Sequence, residues 1–181
     1  MKHILLLLSF VFCVTISAQE IQWMSMDEAI QAQQKKPKKI FVDMYTVWCG
    51  PCKLYDKRTF SNKDVAAYIN KNFYPVKFNA EGNETVTLSS QTFTNPNYQP
   101  ARAFGRNSRH QFARYMNVSA YPTVLFIDSD GSLITALKGY RSPKQLEPFL
   151  KLYGTDLWKT VNTQEKFDQY YSSFEYEFKT E

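Results

Sequence analysis

Histidine is scarce in this sequence, with two among 181 residues, His3 and His110. His3 lies at the extreme N-terminus in what reads as a leader, so a multi-histidine metal centre is excluded. A large charge of one sign is also missing. Lys and Arg number 22 and Asp and Glu 17, both scattered, for a formal net charge of +5. A balance that small does not call for a nucleic-acid partner. After the first eighteen residues no apolar run is long enough to cross a membrane. Internal repeats and a composition break marking a second domain are lacking too. What remains is ordinary globular usage, 44% hydrophobic, 16% aromatic and 22% charged, enough for one cored domain with an extension. Cysteine is scarce and informative: Cys13, Cys49 and Cys52.

Residues 1–18 read as an export signal. Lys2 and His3 give a short basic start, residues 4–14 are apolar except Ser9, and Thr15-Ile16-Ser17-Ala18 ends in small residues. As a helix the apolar run spans about 16 Å, roughly half a bilayer core, which fits a signal segment and not an anchor. Cys13 invites a lipoprotein reading, but Phe12 stands before it where a small side chain is wanted. Cleavage after Ala18 removes Cys13 and leaves Cys49 and Cys52 in an exported, periplasmic chain outside the reducing cytosol.

Two cysteines in an exported chain suggest a structural disulfide, but Cys49 and Cys52 close a loop of only four residues. A bridge stabilises mainly by restraining a long unfolded loop, so this one adds little stability and exchanges easily. Zinc is the other use of such a pair. A closed zinc site needs four ligands, and beyond the leader the chain offers two thiols and His110. A redox centre is the better reading, with no metal or organic cofactor.

Residues 39–45 form a β-branched and aromatic run that reads as a strand. Thr46-Val47-Trp48-Cys49-Gly50-Pro51-Cys52-Lys53 follows, with Pro51 suited to the first turn of a helix. Strand, tight turn and helix start place Cys49 where free backbone N–H groups favour a thiolate. Cys52, one turn in, is shielded. Cys49 is therefore the candidate nucleophile and Cys52 the resolving thiol.

The run Trp48-Cys49-Gly50-Pro51-Cys52-Lys53 resembles the active-site motif of the thioredoxin family. The family's buried acid, six residues before the first cysteine, falls on Asp43, and the lysine beside it on Lys77. The resemblance implies a cis-proline at Pro122, preceded by Tyr121 where cytosolic members carry an aliphatic residue, and a groove glycine at Gly139. It covers residues 25–153 apart from an excess segment at 81–109, and residues 41–60 look like exported bacterial members related to periplasmic thiol–disulfide interchange proteins. The implied roles are catalysis by Cys49, Cys52, Asp43 and Lys77, with Asp43 taking the Cys52 proton through water, and substrate contact by Trp48, Gly50, Pro51, Tyr121, Pro122 and Gly139. The implied fold is α/β, a mixed central sheet flanked by helices, with an insertion before the cis-proline strand and an extra C-terminal helix. Gly50-Pro51 supplies no histidine to stabilise the thiolate, so a reducing potential near about −270 mV is expected. A reductant needs disulfide-containing protein substrates and a membrane electron donor of the thiol–disulfide interchange type. A disulfide isomerase or oxidase, or a binding module on the same fold without redox turnover, are the alternatives.

The expected order along the chain supports this fold. Ser25 and Glu28 form a capping box opening a helix to Lys36. Strand 39–45, helix 51–59, a helix capped by Ser61 and ending near Asn72, and strand 73–79 follow. Residues 109–116 read as helical, 123–127 and 132–137 as a hairpin, and Ser142-Pro143 opens a helix to Tyr153. Residues 81–99 are Asn-, Thr-, Ser- and Gln-rich and read as a loop. Arg102, Arg106, Arg109 and Arg114 come next, the first three at near-helical spacing. They read as a solvated helix face, or else as a docking patch for an acidic partner or substrate. Phe167, Tyr170, Tyr171, Phe174 and Phe178 recur at helical spacing over 163–178, predicting an amphipathic helix packed back on the domain. The organisation expected is a signal at 1–18, a domain at 19–154 and a helical extension at 155–181.

Overall fold

The computed structural model describes residues 20–88 and 90–179. The expected leader, with Cys13, lies outside them. Helix α1 (Met26–Lys35) starts at Ser25, whose hydroxyl accepts from the Glu28 N–H while the Glu28 carboxylate accepts from the Ser25 N–H. This reciprocal bonding satisfies donors that a helix start leaves free. Strand β1 (Lys39–Tyr45), helix α2 (Gly50–Tyr55), helix α3 (Lys63–Asn72) and strand β2 (Phe73–Asn79) follow. Then come short strands β3 (Val86–Leu88) and β4 (Gln91–Phe93), helix α4 (Gln111–Tyr115), and strands β5 (Thr123–Ile127) and β6 (Leu133–Lys138). Helices α5 (Pro143–Gly154) and α6 (Gln164–Ser172) close the chain.

The main sheet has the order β2-β1-β5-β6, with β1 parallel to β2 and antiparallel to β5, and β6 antiparallel to β5. Side chains alternate across β1. Ile40, Val42 and Met44 enter a core shared with α1 and α4, whereas Phe41 enters a second core with Tyr55, Phe60, Ile69, Leu146 and Leu150. Asp43 has the parity of Phe41 and so faces the side that α2 and α3 cover. Three strands end in one region: Met44 pairs with Thr123 and Thr123 with Lys138, bringing the start of α2, Pro122 and Gly139 to the same end of the sheet.

Several expectations need correction. The helix expected over 51–59 is regular only to Tyr55 and continues as a π-helical turn over Asp56–Phe60, where the Ser61 N–H reaches the Asp56 carbonyl. Residues five apart stand about 140° apart on a regular α-helix. The wider turn brings Tyr55 and Phe60 together as stacked rings 4.4 Å apart in the core. Asn62, not Ser61, caps α3, its Oδ1 accepting from the N–H groups of Asp64 and Val65. The Ser61 hydroxyl is already committed to the Lys57 carbonyl. The segment 81–99 is not all loop: β3 and β4 form a hairpin that buries Val86, Leu88 and Phe93 against the first core. No helix carries Arg102, Arg106 and Arg109; a single tight turn at Pro100–Arg102 gives way to irregular chain. The tail helix stops at Ser172, short of the expected 178, and the irregular chain after it bonds to partners on α5 and α3. The fully buried Glu147 carboxylate accepts from the Glu177 and Phe178 N–H groups at 2.8 and 3.0 Å, and Asp64 accepts from the Lys179 N–H. Upstream, Tyr170 donates to the Pro148 carbonyl and Phe167 and Tyr171 lie against Phe149.

Candidate functional site

Cys49 occupies the N-cap of α2 and Cys52 its first turn, joined as a disulfide with Cα atoms 5.3 Å apart. Pro51 sits in the first turn, where its missing N–H costs nothing. The Cys52 N–H points at Cys49 Sγ at 3.2 Å, a contact that favours negative charge on that sulfur. Both cysteines are only 2% exposed, so shielding extends to Cys49 as well as Cys52. Gly50 and Pro51 between them are exposed.

Beneath α2 lies Asp43, 1% exposed, paired in register with Lys77 of β2. Equal parity on neighbouring parallel strands puts the two side chains on one face, and Lys77 Nζ stands 2.9 Å from Asp43 Oδ2. Burial drives the Asp43 carboxyl up to about 6, the nearby Lys77 charge opposing the rise and the Asp56 charge adding to it. Burial alone would lower Lys77, but Asp43 and Asp56 outweigh it and raise its pKa. Lys77 bonds to Asp56 of the π-helical turn as well, among the rings of Trp23, Tyr45 and Phe60 at 5.1–5.5 Å. Asp43 Oδ1 has no hydrogen-bond partner among the described residues.

The Tyr121–Pro122 peptide is cis, and Pro122 is buried. Its carbonyl accepts from the N–H of Gly139, which has φ +87°. That left-handed backbone strains any side chain, so glycine suits the position. Tyr121 meets the Trp48 ring edge-on at 6.1 Å. Trp48 is further held by the inserted segment: its Nε1–H donates to Glu81 Oε2 at 2.7 Å, and the Arg106 guanidinium lies 3.9 Å from its ring centre. The structure thus gathers all ten expected residues at one end of the sheet or directly beneath it. It adds Asp56 and Glu81, which the sequence reading gave no site role, and Arg106, which it read only as part of a solvated face or docking patch and not as a neighbour of Trp48. Asp56 lies one turn beyond Cys52, a spacing that singles out nothing by itself. Glu81 and Arg106 reach Trp48 across 33 and 58 positions of chain, a juxtaposition no local pattern signals. His110 is a structural cap: its Nδ1 accepts from the Phe112 N–H and its Nε2 meets the Glu84 carbonyl. Among the described residues no group of three or more His, Cys, Asp or Glu side chains is placed to hold a metal ion.

A family model for a thioredoxin-like domain matches residues 26–154. The chain belongs to the thioredoxin-like family. Thioredoxin-like relatives include a thiol:disulfide interchange protein DsbD from Pectobacterium atrosepticum, 23% identical over 124 residues covering 67% of this chain and 18% of the relative. The chain therefore spans less than a fifth of that protein's length. A thiol-disulfide oxidoreductase ResA from Bacillus thuringiensis is 26% identical over 129 residues, 67% of each chain. The solution structure of a proposed disulphide-isomerase from Bacteroides thetaiotaomicron is 30% identical, covers 75% of this chain and 94% of its own, and superposes with a TM-score of 0.52.

Proposed function

We propose that the protein is an exported thiol–disulfide oxidoreductase that reduces protein disulfides through Cys49 and Cys52. The observation that carries this reading is a cysteine pair at the start of α2 over a buried Asp43 paired with Lys77. Cys49 thiolate attacks one sulfur of a substrate disulfide. The substrate S–S bond breaks, a mixed disulfide forms on Cys49, and the other substrate sulfur leaves as a thiolate and takes a proton. Asp43 accepts the Cys52 proton, for which a carboxyl held near about 6 is suited. The Cys52 thiolate then attacks Cys49 Sγ, forming the intramolecular disulfide and releasing the second substrate thiolate, which is protonated. Two electrons and two protons pass to the substrate. Pro122 and Gly139 present backbone beside the pair, and Trp48 and Tyr121 form the adjoining wall.

The leader and the relation to DsbD support a periplasmic setting, and a dithiol donor in the membrane would return two electrons to the pair. Among the described residues no helix is long and apolar enough to cross a membrane. Equilibration with graded dithiol buffers, followed by mass spectrometry of free thiols, tests the reading. A potential near about −270 mV supports a reductant, and a value above about −200 mV makes the protein an oxidase or isomerase. Absence of a reversible two-electron transition leaves a binding module. Cys52→Ser is expected to accumulate mixed disulfides on Cys49.

A further inference from the structure

The segment between β4 and α4 carries features that the exchange chemistry does not use. Its base is closed by Asn107, whose side chain accepts from the Gln99 N–H at 2.9 Å and donates to the Gln99 carbonyl at 2.8 Å. Asn95 ties the same region down, donating to the carbonyls of Gly82 and Ser108 and accepting from the Ser108 hydroxyl. The loop 99–107 is thus held in a defined shape, and at its tip Phe104 is 96% exposed. An aromatic ring held in water on a braced loop contributes nothing to the core.

Two residues on, the Arg106 guanidinium carbon stands 3.9 Å from the ring centre of Trp48, the neighbour of Cys49. A guanidinium held over an aromatic ring keeps N–H donors for a further partner. Arg102 and Arg106 are exposed and, among the described residues, form no ion pair and no side-chain hydrogen bond. Arg109 is exposed too, its Nη1 donating to the Val118 carbonyl. The nearby carboxylate, Glu81, sits at the indole edge with the Trp48 and Asn107 N–H groups already on one oxygen.

We propose that loop 99–107 is a substrate-reading finger, in which Arg106, aided by Arg102, selects disulfides in polypeptides bearing a carboxylate near the reacting cysteine, while Phe104 covers an apolar side chain of the same segment. This rests on the oxidoreductase reading and names its preferred substrate class. The reach follows from the neighbours: Arg106 stands over the side chain of Trp48, the residue next to Cys49. With an extended chain advancing about 3.3 Å per residue, the carboxylate it meets lies about two residues from the reacting cysteine.

The test uses the reduced protein and three disulfide-cyclised peptides that differ only in Asp, Asn or Lys two residues from one cysteine. Each contains a leucine on the other side of that cysteine. Single-turnover rate constants are read by stopped-flow tryptophan fluorescence at low and high salt. An exposed charge pair makes the Asp peptide faster than Asn by about threefold and than Lys by about tenfold, both ratios shrinking toward one at high salt. Arg106→Glu reverses the order, Arg106→Gln flattens it, and Phe104→Ala slows all three peptides alike. If Arg106→Glu does not fold, the Gln variant and the wild-type salt series decide. Equal rates for the three peptides in the wild type, or an unchanged order in the Arg106 variants, overturn the finger while leaving the oxidoreductase standing. Reduction of none of the peptides overturns the oxidoreductase reading itself, and this proposal with it.

Discussion

Replacing Asp43 by Asn should make the oxidised protein less sensitive to pH, in a direction set by the environment of the carboxyl. In the unfolded chain an Asp ionises near about 3.9; in the fold, burial holds the Asp43 proton up to about 6. Between those values the folded state binds a proton that the unfolded state has released. Stability contributed by Asp43 is therefore complete below the unfolded value, falls as pH rises through the folded one, and is flat beyond. A shift of roughly two units at about 1.4 kcal/mol per unit amounts to about 3 kcal/mol. The stability of Asp43→Asn minus that of the wild type should thus grow by about 3 kcal/mol between about pH 3 and pH 7. Urea unfolding of the disulfide form, followed by fluorescence at half-unit pH steps, measures that difference. Subtracting the two curves removes every group that titrates alike in both proteins. A difference that stays level across this range would refute the placement of Asp43 as a buried carboxyl only partly compensated by Lys77.

His110 works in the opposite sense. Burial lowers its pKa, the bond to the Glu84 carbonyl opposing, so its stability contribution is present above about 6.5 and is lost as pH falls through the lower folded value. His110→Gln should flatten this acid limb in the same unfolding series. Glu147→Ala leaves two tail N–H groups without their acceptor; a loss of about 2 kcal/mol is expected, with faster amide exchange or proteolysis after Ser172. Ser25→Ala removes one half of the α1 capping box and should cost about 1 kcal/mol by the same unfolding assay. Gly139→Ala forces a side chain into φ +87° and should destabilise by at least about 1 kcal/mol, measurable as a lower unfolding midpoint.

Local pattern carried a large part of this protein's description. The strands at Lys39–Tyr45, Phe73–Asn79 and Thr123–Ile127 were legible to the residue, because β-branched and aromatic runs ended by turn formers specify strands over a few positions. The Ser25–Glu28 box and the Ser142-Pro143 start are likewise short-range bonding patterns readable in four residues. So is the pairing of Cys49 with Cys52 at a helix start, since only two residues separate them and a single turn brings their Cα atoms to 5.3 Å. Where two local signals competed, the folded backbone chose: Asn62 caps α3 while the Ser61 hydroxyl bonds the Lys57 carbonyl four residues back, and the helix after Cys52 widens so that Tyr55 and Phe60 share the core. The shared hold of Asp43 and Asp56 on Lys77, the clasp of Glu81 and Arg106 on Trp48, and the seating of the tail on Glu147 join positions 21 to 58 residues apart. Such contacts depend on how the sheet register and helix packing bring distant chain together. The sequence by itself therefore determined most of the elements and the reactive pair with its named neighbours, and only the folded packing decided that Asp56, Glu81 and Arg106 join Lys77 and Trp48 around that pair.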